Sequence, residues 1–269
     1  MFIGARRSLL SAKKSGLVPS AQAAAFLART SGLSATEQNA YIRLINGLVA
    51  DGDFSKLDVL YIFGTNSRTT AKLNLISTNF AATENGTVSF AADQGYTGDA
   101  STFYLDTGFN PTTAPSPNFT TANASLGVYQ LNSRTADQTW CQIGSNLVGG
   151  NNKSDIFTKF SGGAFGQFGN GGGASATVAN GQGLTIATRN GTTSAALFRN
   201  GVSVATDTPT SDGPASIDLS VFALNVQSGS PSFFCGDQLS AAFIGGSINA
   251  ANVSARLNRY MTDIGINVY

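Results

Sequence analysis

The chain has 269 residues, enough for one large all-β domain or two smaller ones and for a sizeable buried core. Only 12% of its residues are charged, 16 basic against 15 acidic, and the net charge of +1 creates no field that would recruit a phosphate backbone or an anionic membrane, so nucleic acid is not an expected partner. Histidine is absent, which removes every Ser-His-Asp and Cys-His arrangement together with the commonest zinc ligand.

In chain order, residues 1–36 mix basic residues, alanines and small polar residues. They read as an arm with one short helix from Ser20 to about Arg29, docking on its own domain, a sister subunit or a larger particle. The opening apolar run is cut by Lys13 and Lys14 before it reaches the length of a signal peptide. No stretch approaches the roughly 20 apolar residues of a membrane span, so membrane insertion is not expected. Ser34-Ala35-Thr36-Glu37 has the form of a capping box, and Tyr41, Ile42, Leu44, Ile45, Leu48 and Val49 follow at helical spacing, predicting an amphipathic helix over 37–53. The β-branched and aromatic run Lys56 to Gly64 predicts the first strand, and a β-sandwich is expected over 54–269.

Short apolar or alternating runs separated by Gly, Asn, Asp and Pro then recur, among them Ala124 to Leu131, Gln138 to Ile143, Asp155 to Phe160, Gly183 to Arg189, Ser216 to Leu224 and Ser240 to Ile244. Their number and spacing predict a sandwich or barrel. Asn200-Gly201, between Ala195–Arg199 and Val202–Ala205, predicts a hairpin closed by a type I′ turn. The Gly-rich tract from Gly162 to Gly173 reads as a mobile loop or a subunit contact. A closing helix is predicted over 250–264, with Val253, Leu257, Tyr260, Met261 and Ile264 on one stripe, Asn249 or Ser247 as its cap and Gly265 at its end.

Chemistry-bearing groups are few. Glu37 and Glu84 are the only glutamates, and no acidic motif clusters on a strand, so a carboxylate-pair hydrolase is not expected. Asp93, Asp99 and Asp106, interleaved with glycines, have the composition of a calcium site; the same residues are also those that turns favour. Cys141 and Cys235 are too far apart in sequence for a zinc knuckle or redox pair and read as buried free thiols. Trp140 and Tyr129 are the candidate glycan-stacking aromatics, and whether Trp140 faces core or solvent depends on which face of its strand is inward.

Three segments together resemble the concanavalin A-like (LamG-type) jelly-roll superfamily. Phe198-Arg199-Asn200-Gly201-Val202 is similar to its late hairpin, Phe234 to Ile244 to its last core strand with the helix from Ala250 after it, and Gln94 to Thr107 to an early strand pair in versions carried by tailed phages and prophages. The resemblance covers roughly residues 55–265. It implies an all-β concanavalin A-like jelly-roll sandwich with a short helix before it and a C-terminal helix. The laminarinase-type members carry Glu-x-Asp-x-Glu on a strand, which is absent here, so no catalytic residue is carried over. The expected function is a structural or binding component of a virion (tail fibre, baseplate or capsid decoration) that recognises host-surface polysaccharide. The alternatives are a free-standing lectin-like module and, third, a polysaccharide-degrading enzyme. The resemblance implies other virion proteins as partners, and the low charge favours a homo-oligomer.

Overall fold

The computed structural model describes residues 17–147, 152–168, 173–210, 213–227 and 230–269. The first sixteen residues, where the expected arm begins, and residues 169–172 of the Gly-rich tract lie outside the described residues.

Helices α1 (Ala21–Leu27) and α2 (Ala35–Ala50) come first, followed by strand β1 (Leu57–Ile62) and the short α3 (Arg68–Ala71). Then follow β2 (Thr83–Asn85), β3 (Ser89–Ala91), β4 (Gly95–Thr97), β5 (Tyr104–Asp106), β6 (Asn123–Gln130), β7 (Ile143–Asn146) and β8 (Lys153–Phe160). The chain continues through β9 (Gly163–Phe168), β10 (Gly173–Thr177), β11 (Gly183–Asn190), β12 (Ala195–Arg199) and β13 (Val202–Asp207). It ends with β14 (Ser220–Val221), β15 (Leu224–Asn225), β16 (Pro231–Ser232), β17 (Gln238–Gly245) and α4 (Ala250–Asp263).

These strands form two sheets packed face to face as a jelly-roll sandwich. Sheet one has the order β13-β12-β11-β6-β17-β4-β3, with β1 also on β17; sheet two runs β10-β9-β8-β7-β14-β5-β2, with β15 joined in parallel to β7 and β16 antiparallel to β15. Between them lies a core that includes Val59, Tyr61, Phe103, Leu105, Leu126, Val128, Ile143 and Ile156. A second core lies on the other side of sheet one, where Leu60, Tyr129, Leu184, Ile186, Ala241 and Phe243 meet the helices. The central strands of sheet one, β1, β6, β11 and β17, are therefore buried on both faces, which is why β1 and β17 read as nearly continuous apolar runs without alternation.

Local signals account for several elements. The Ser34 hydroxyl accepts from Glu37 N and the Glu37 carboxylate accepts from Ser34 N, closing the capping box of α2. Asn249 caps α4 by accepting from the N–H groups of Ala251 and Asn252. Asn200 (φ 51°) and Gly201 (φ 83°) are both left-handed, as a type I′ turn requires. Helices α2 and α4 pack together through Tyr41 and Tyr260, whose ring centroids are 5.0 Å apart, and through the Arg256–Asp51 ion pair. Residues of the expected arm dock on this layer: Phe26 is 1% exposed with its ring 4.8 Å from Tyr41, and Arg29 donates to the carbonyls of Asn74 and Ser77.

Three sequence expectations are corrected. The Gly-rich tract is not a loop up to Phe168 but strand β9, whose Ala164, Gly166 and Phe168 point inward. A Cβ on Gly166 would lie 2.5 Å from that of Ala187 on sheet one, so the glycine permits close approach of the two sheets and does not mark a turn. The strand expected over 138–143 begins only at Ile143; the residue before it, Gln142, turns its side chain into a buried polar network. The segment 94–107 supplies β4 and β5, but these join different sheets and do not pair with each other.

That network is centred on Arg134 and Asp237, 8% and 0% exposed. Arg134 Nε donates to both Asp237 oxygens at 3.0 and 3.1 Å, its Nη1 donates to the carbonyls of Ala136 and Lys159, and its Nη2 donates to the Thr158 hydroxyl. Gln142 and Asn132 also donate to the Asp237 carboxylate. Thr158 on sheet two donates its hydroxyl to Gln130 on sheet one at 2.6 Å, tying the two sheets together. Cys141 and Cys235 lie beside this network as buried free thiols, and burial pushes both well above the ordinary thiol range.

Removing one partner of such a pair strands a charge in the interior. Asp237→Ala is expected to cost ~3–5 kcal/mol in urea unfolding. Phe26→Ala is expected to cost ~3–5 kcal/mol by leaving a cavity against Tyr41; a cost below about 1 kcal/mol would mean that α1 is not part of the cooperative fold.

Candidate functional site

The two outer faces of the sandwich are not equivalent. The helices cover sheet one, whereas among the described residues no helix packs on the outward face of sheet two. Strand periodicity decides what that face carries. On β8, Ile156 and its inward neighbours alternate with outward Lys153, Asp155 and Phe157; on β9, Phe165 and Gln167 are outward. Register places Phe157 opposite Phe165 and Asp155 opposite Gln167.

Four phenylalanines gather there. Phe157 lies 5.4 Å from Phe160 and 6.3 Å, edge to face, from Phe233. Phe160 and Phe233 are 41% and 46% exposed, although each ring is large enough to favour burial. Phe233 also adopts a left-handed backbone (φ 53°), uncommon for a bulky residue, which the surrounding structure must hold in place. With Thr139, Asn146, Gln167 and Leu224 the rings border a hollow of about 250 Å³.

Asp155 lines this hollow and is only 3% exposed. Its Oδ1 has no hydrogen-bond partner among the described residues. Burial pushes its carboxyl up to about 7, opposed by the Lys153 ammonium. Gly144 is its register partner on β7, and a Cβ there would fall 2.7 Å from Asp155 Cβ and 2.9 Å from Leu224 Cδ1. The glycine thus lets Asp155 and Leu224 settle over the strand.

A second, more polar hollow of about 280 Å³ lies across the same sheet, lined by Tyr104, Asp106, Asn110, Asp218, Ser220 and Asn225, among others. Burial, and after it the Asp106 carboxylate, push the Asp218 carboxyl up.

The residues singled out from sequence lie mostly elsewhere. Tyr129 is 0% exposed; its hydroxyl donates to Asn267 Oδ1 and accepts from Val268 N, and its ring lies 5.8 Å from Tyr269. It faces the helical side of β6 and offers no open ring. Trp140 is half-buried, with the Arg134 guanidinium 5.2 Å from its ring centroid and its edge against Gly236. Asp93, Asp99 and Asp106 do not converge. The Asp99 carboxylate accepts from the N–H groups of Ser101, Thr102 and Phe103 and from the Thr102 hydroxyl, Asp106 accepts from Gly108 N, and Asp93 sits beside Glu37. Among the described residues no group of three or more His, Cys, Asp or Glu side chains is arranged to hold a metal ion. Phe157, Phe160, Phe165, Phe233 and Asp155 went unnoticed in the sequence; for Asp155, Phe157 and Phe165 the available signal was alternation with inward residues on β8 and β9, whereas Phe160 follows a register shift and Phe233 lies outside both strands.

The architecture defined by these features is a jelly-roll β-sandwich with one covered and one open sheet. No family model and no curated protein sequence matches the chain. Among solved structures it is similar to domain 4 of AbnA, a GH43 extracellular arabinanase from Geobacillus stearothermophilus, in complex with arabinotriose (16% identity, TM-score 0.48, 75% of this chain and 98% of that one). It is also similar to a mutant of Trypanosoma rangeli sialidase displaying trans-sialidase activity (7%, 0.50, 81% and 38%). A third is the CBM40 of Ruminococcus gnavus IT-sialidase bound to α2,6-sialyllactose (12%, 0.38, 51% and 84%). The chain thus spans little more than a third of the sialidase, and likenesses at these identities concern the fold alone.

The raised Asp155 carboxyl has a consequence for stability. Between about pH 4 and pH 7 the folded state holds a proton that the unfolded chain, with an ordinary value of 3.8, has lost, so this group's contribution to stability falls as pH rises through that window. Asp155→Asn is expected to be more stable than the parent at pH 8, and the difference should shrink towards pH 4 by at most ~1.4 kcal/mol per pH unit. Urea unfolding of both proteins across that range checks it.

Proposed function

We propose that the domain binds carbohydrate on the open face of sheet two and does no chemistry on it. The observation that carries this reading is the group of four phenylalanines, two of them substantially exposed, bordering a hollow with a buried carboxyl at its edge. Aromatic rings accept the apolar C–H face of a sugar ring, while a few placed polar groups meet its hydroxyls. Asn146, Lys153, Asp155 and Gln167 are such groups. Asp155 stands three strands from Asp106, roughly 14 Å at sheet spacing, too far for these two to act as a carboxylate pair, which needs about 5–9.5 Å.

The finer setting we propose is a tailed-phage virion, as a tail fibre, baseplate or decoration unit meeting host-surface polysaccharide. Its support is the resemblance of residues 94–107 to phage-borne versions of the fold and a near-neutral chain suited to self-association. A defined trimer or larger ring in light scattering is the expected result; a monomer at all concentrations favours the free-standing lectin-like module.

Phe160→Ala and Phe233→Ala are each expected to weaken binding to the best glycan on an array by roughly tenfold or more, with melting temperatures near that of the parent because both rings are exposed. Unchanged binding in both variants would move the site off this face.

A further inference from the structure

The two hollows on sheet two lie along a single row of register partners. Gln167 on β9 faces Asp155 on β8, Asp155 faces Gly144 on β7, Gly144 faces Ser220 on β14, and Ser220 faces Asp106 on β5. The row is outward throughout, since Ile143, Ile156, Leu105 and Val221 beside it are core residues. Leu224 lies over Gly144 and lines the first hollow, and Asn225 next to it lines the second. The hollows therefore adjoin on one face of the sheet, with Leu224 and Asn225 between them.

The chemistry of the two parts differs. The first is bordered by phenylalanine. The second has two carboxylates, Asp106 and Asp218, hydroxyls from Tyr104 and Ser220, and no cation among its described lining residues. Asn225 is 7% exposed, donates its Nδ2 to the Asp218 carbonyl, and leaves Oδ1 buried with no hydrogen-bond partner among the described residues. A buried acceptor left unpaired is costly, and a ligand donor that reaches it is correspondingly favoured. Carboxylates and an amide oxygen accept hydrogen bonds from sugar hydroxyls, and those to the carboxylates are charge-assisted. The same groups repel a carboxylate or sulfate brought alongside them.

We infer that the ligand is an extended, uncharged, hydroxyl-rich glycan lying along this row, with one end stacked on Phe157, Phe160 and Phe233 and the other hydrogen-bonded by Asp106, Asp218 and Asn225. This rests on the carbohydrate-binding reading above and adds the substrate class. The aromatic end alone holds a single sugar unit. The acceptor end makes affinity grow with chain length and discriminates against sialylated or uronic-acid-bearing chains.

The experiment is calorimetry of the full chain with cello-, laminari-, malto- and arabino-oligosaccharides from disaccharide to hexasaccharide, alongside α2,6-sialyllactose and oligogalacturonate. One neutral series is expected to gain roughly tenfold or more in affinity as the chain lengthens, and Asp218→Asn and Tyr104→Ala are each expected to abolish that gain while leaving disaccharide binding intact. Circular dichroism and a melting curve establish that each variant is folded, and the two substitutions serve as checks on one another. Binding without length dependence, a length gain that survives both substitutions, or preference for the acidic probes overturns the inference and leaves the carbohydrate-binding reading standing. Failure of every sugar to bind overturns both.

Discussion

The buried ion pair between Arg134 and Asp237 is the constraint on which the rest of the sandwich depends. Its ions have left water, and the attraction between them offsets that cost only when the remaining donors and acceptors are also met. They are met here by Asn132, Gln142, Thr158 and the carbonyls of Ala136 and Lys159. Those groups come from the segment between β6 and β7 and from β8, and Asp237 stands just before β17, so the pair joins three stretches of chain that are remote in sequence. The Lys159 carbonyl bonded by Arg134 stands between Thr158 and Phe160, and the exposed aromatic group is thus supported from beneath by a rigid polar centre.

The two sheets have divided their roles. Sheet one is sealed by helices and carries apolar residues towards both of its faces, which makes it the mechanical middle of a three-layer molecule. Among the described residues sheet two is sealed on one side only. Its outward residues are under no demand to be apolar, so the rings at Phe160 and Phe233 are not explained by packing, and their exposure is what directs attention to that face.

What was legible in the sequence was what is decided locally. The Asn200-Gly201 turn, the Ser34–Glu37 capping box and the stripe of α4 each rest on a few adjacent residues, and each is found where the pattern placed it. What was not legible depends on distant partners. Gly166 looks like a loop residue until Ala187 is brought against it. Tyr129 looks like a platform until the C-terminal tail covers it. The aromatic group joins residues 157–165 to residue 233, and a phenylalanine in a strand reads as core until the absence of a covering layer is known. Asp106 was noticed, but as one of three turn aspartates; its place in a row with Asp155 follows only from register across four strands.

The position of the described chain ends has a geometric consequence. The Val18 carbonyl accepts from Asn46 on α2, and Tyr269 stacks near Tyr129, so both ends lie on the helical side, behind the sandwich. A support that held the chain beside Val18 or Tyr269 would hold the domain by its back and leave sheet two facing outward. Several copies held in this way would present the same face to one polymer, and weak single contacts would add as avidity without any change in the face itself.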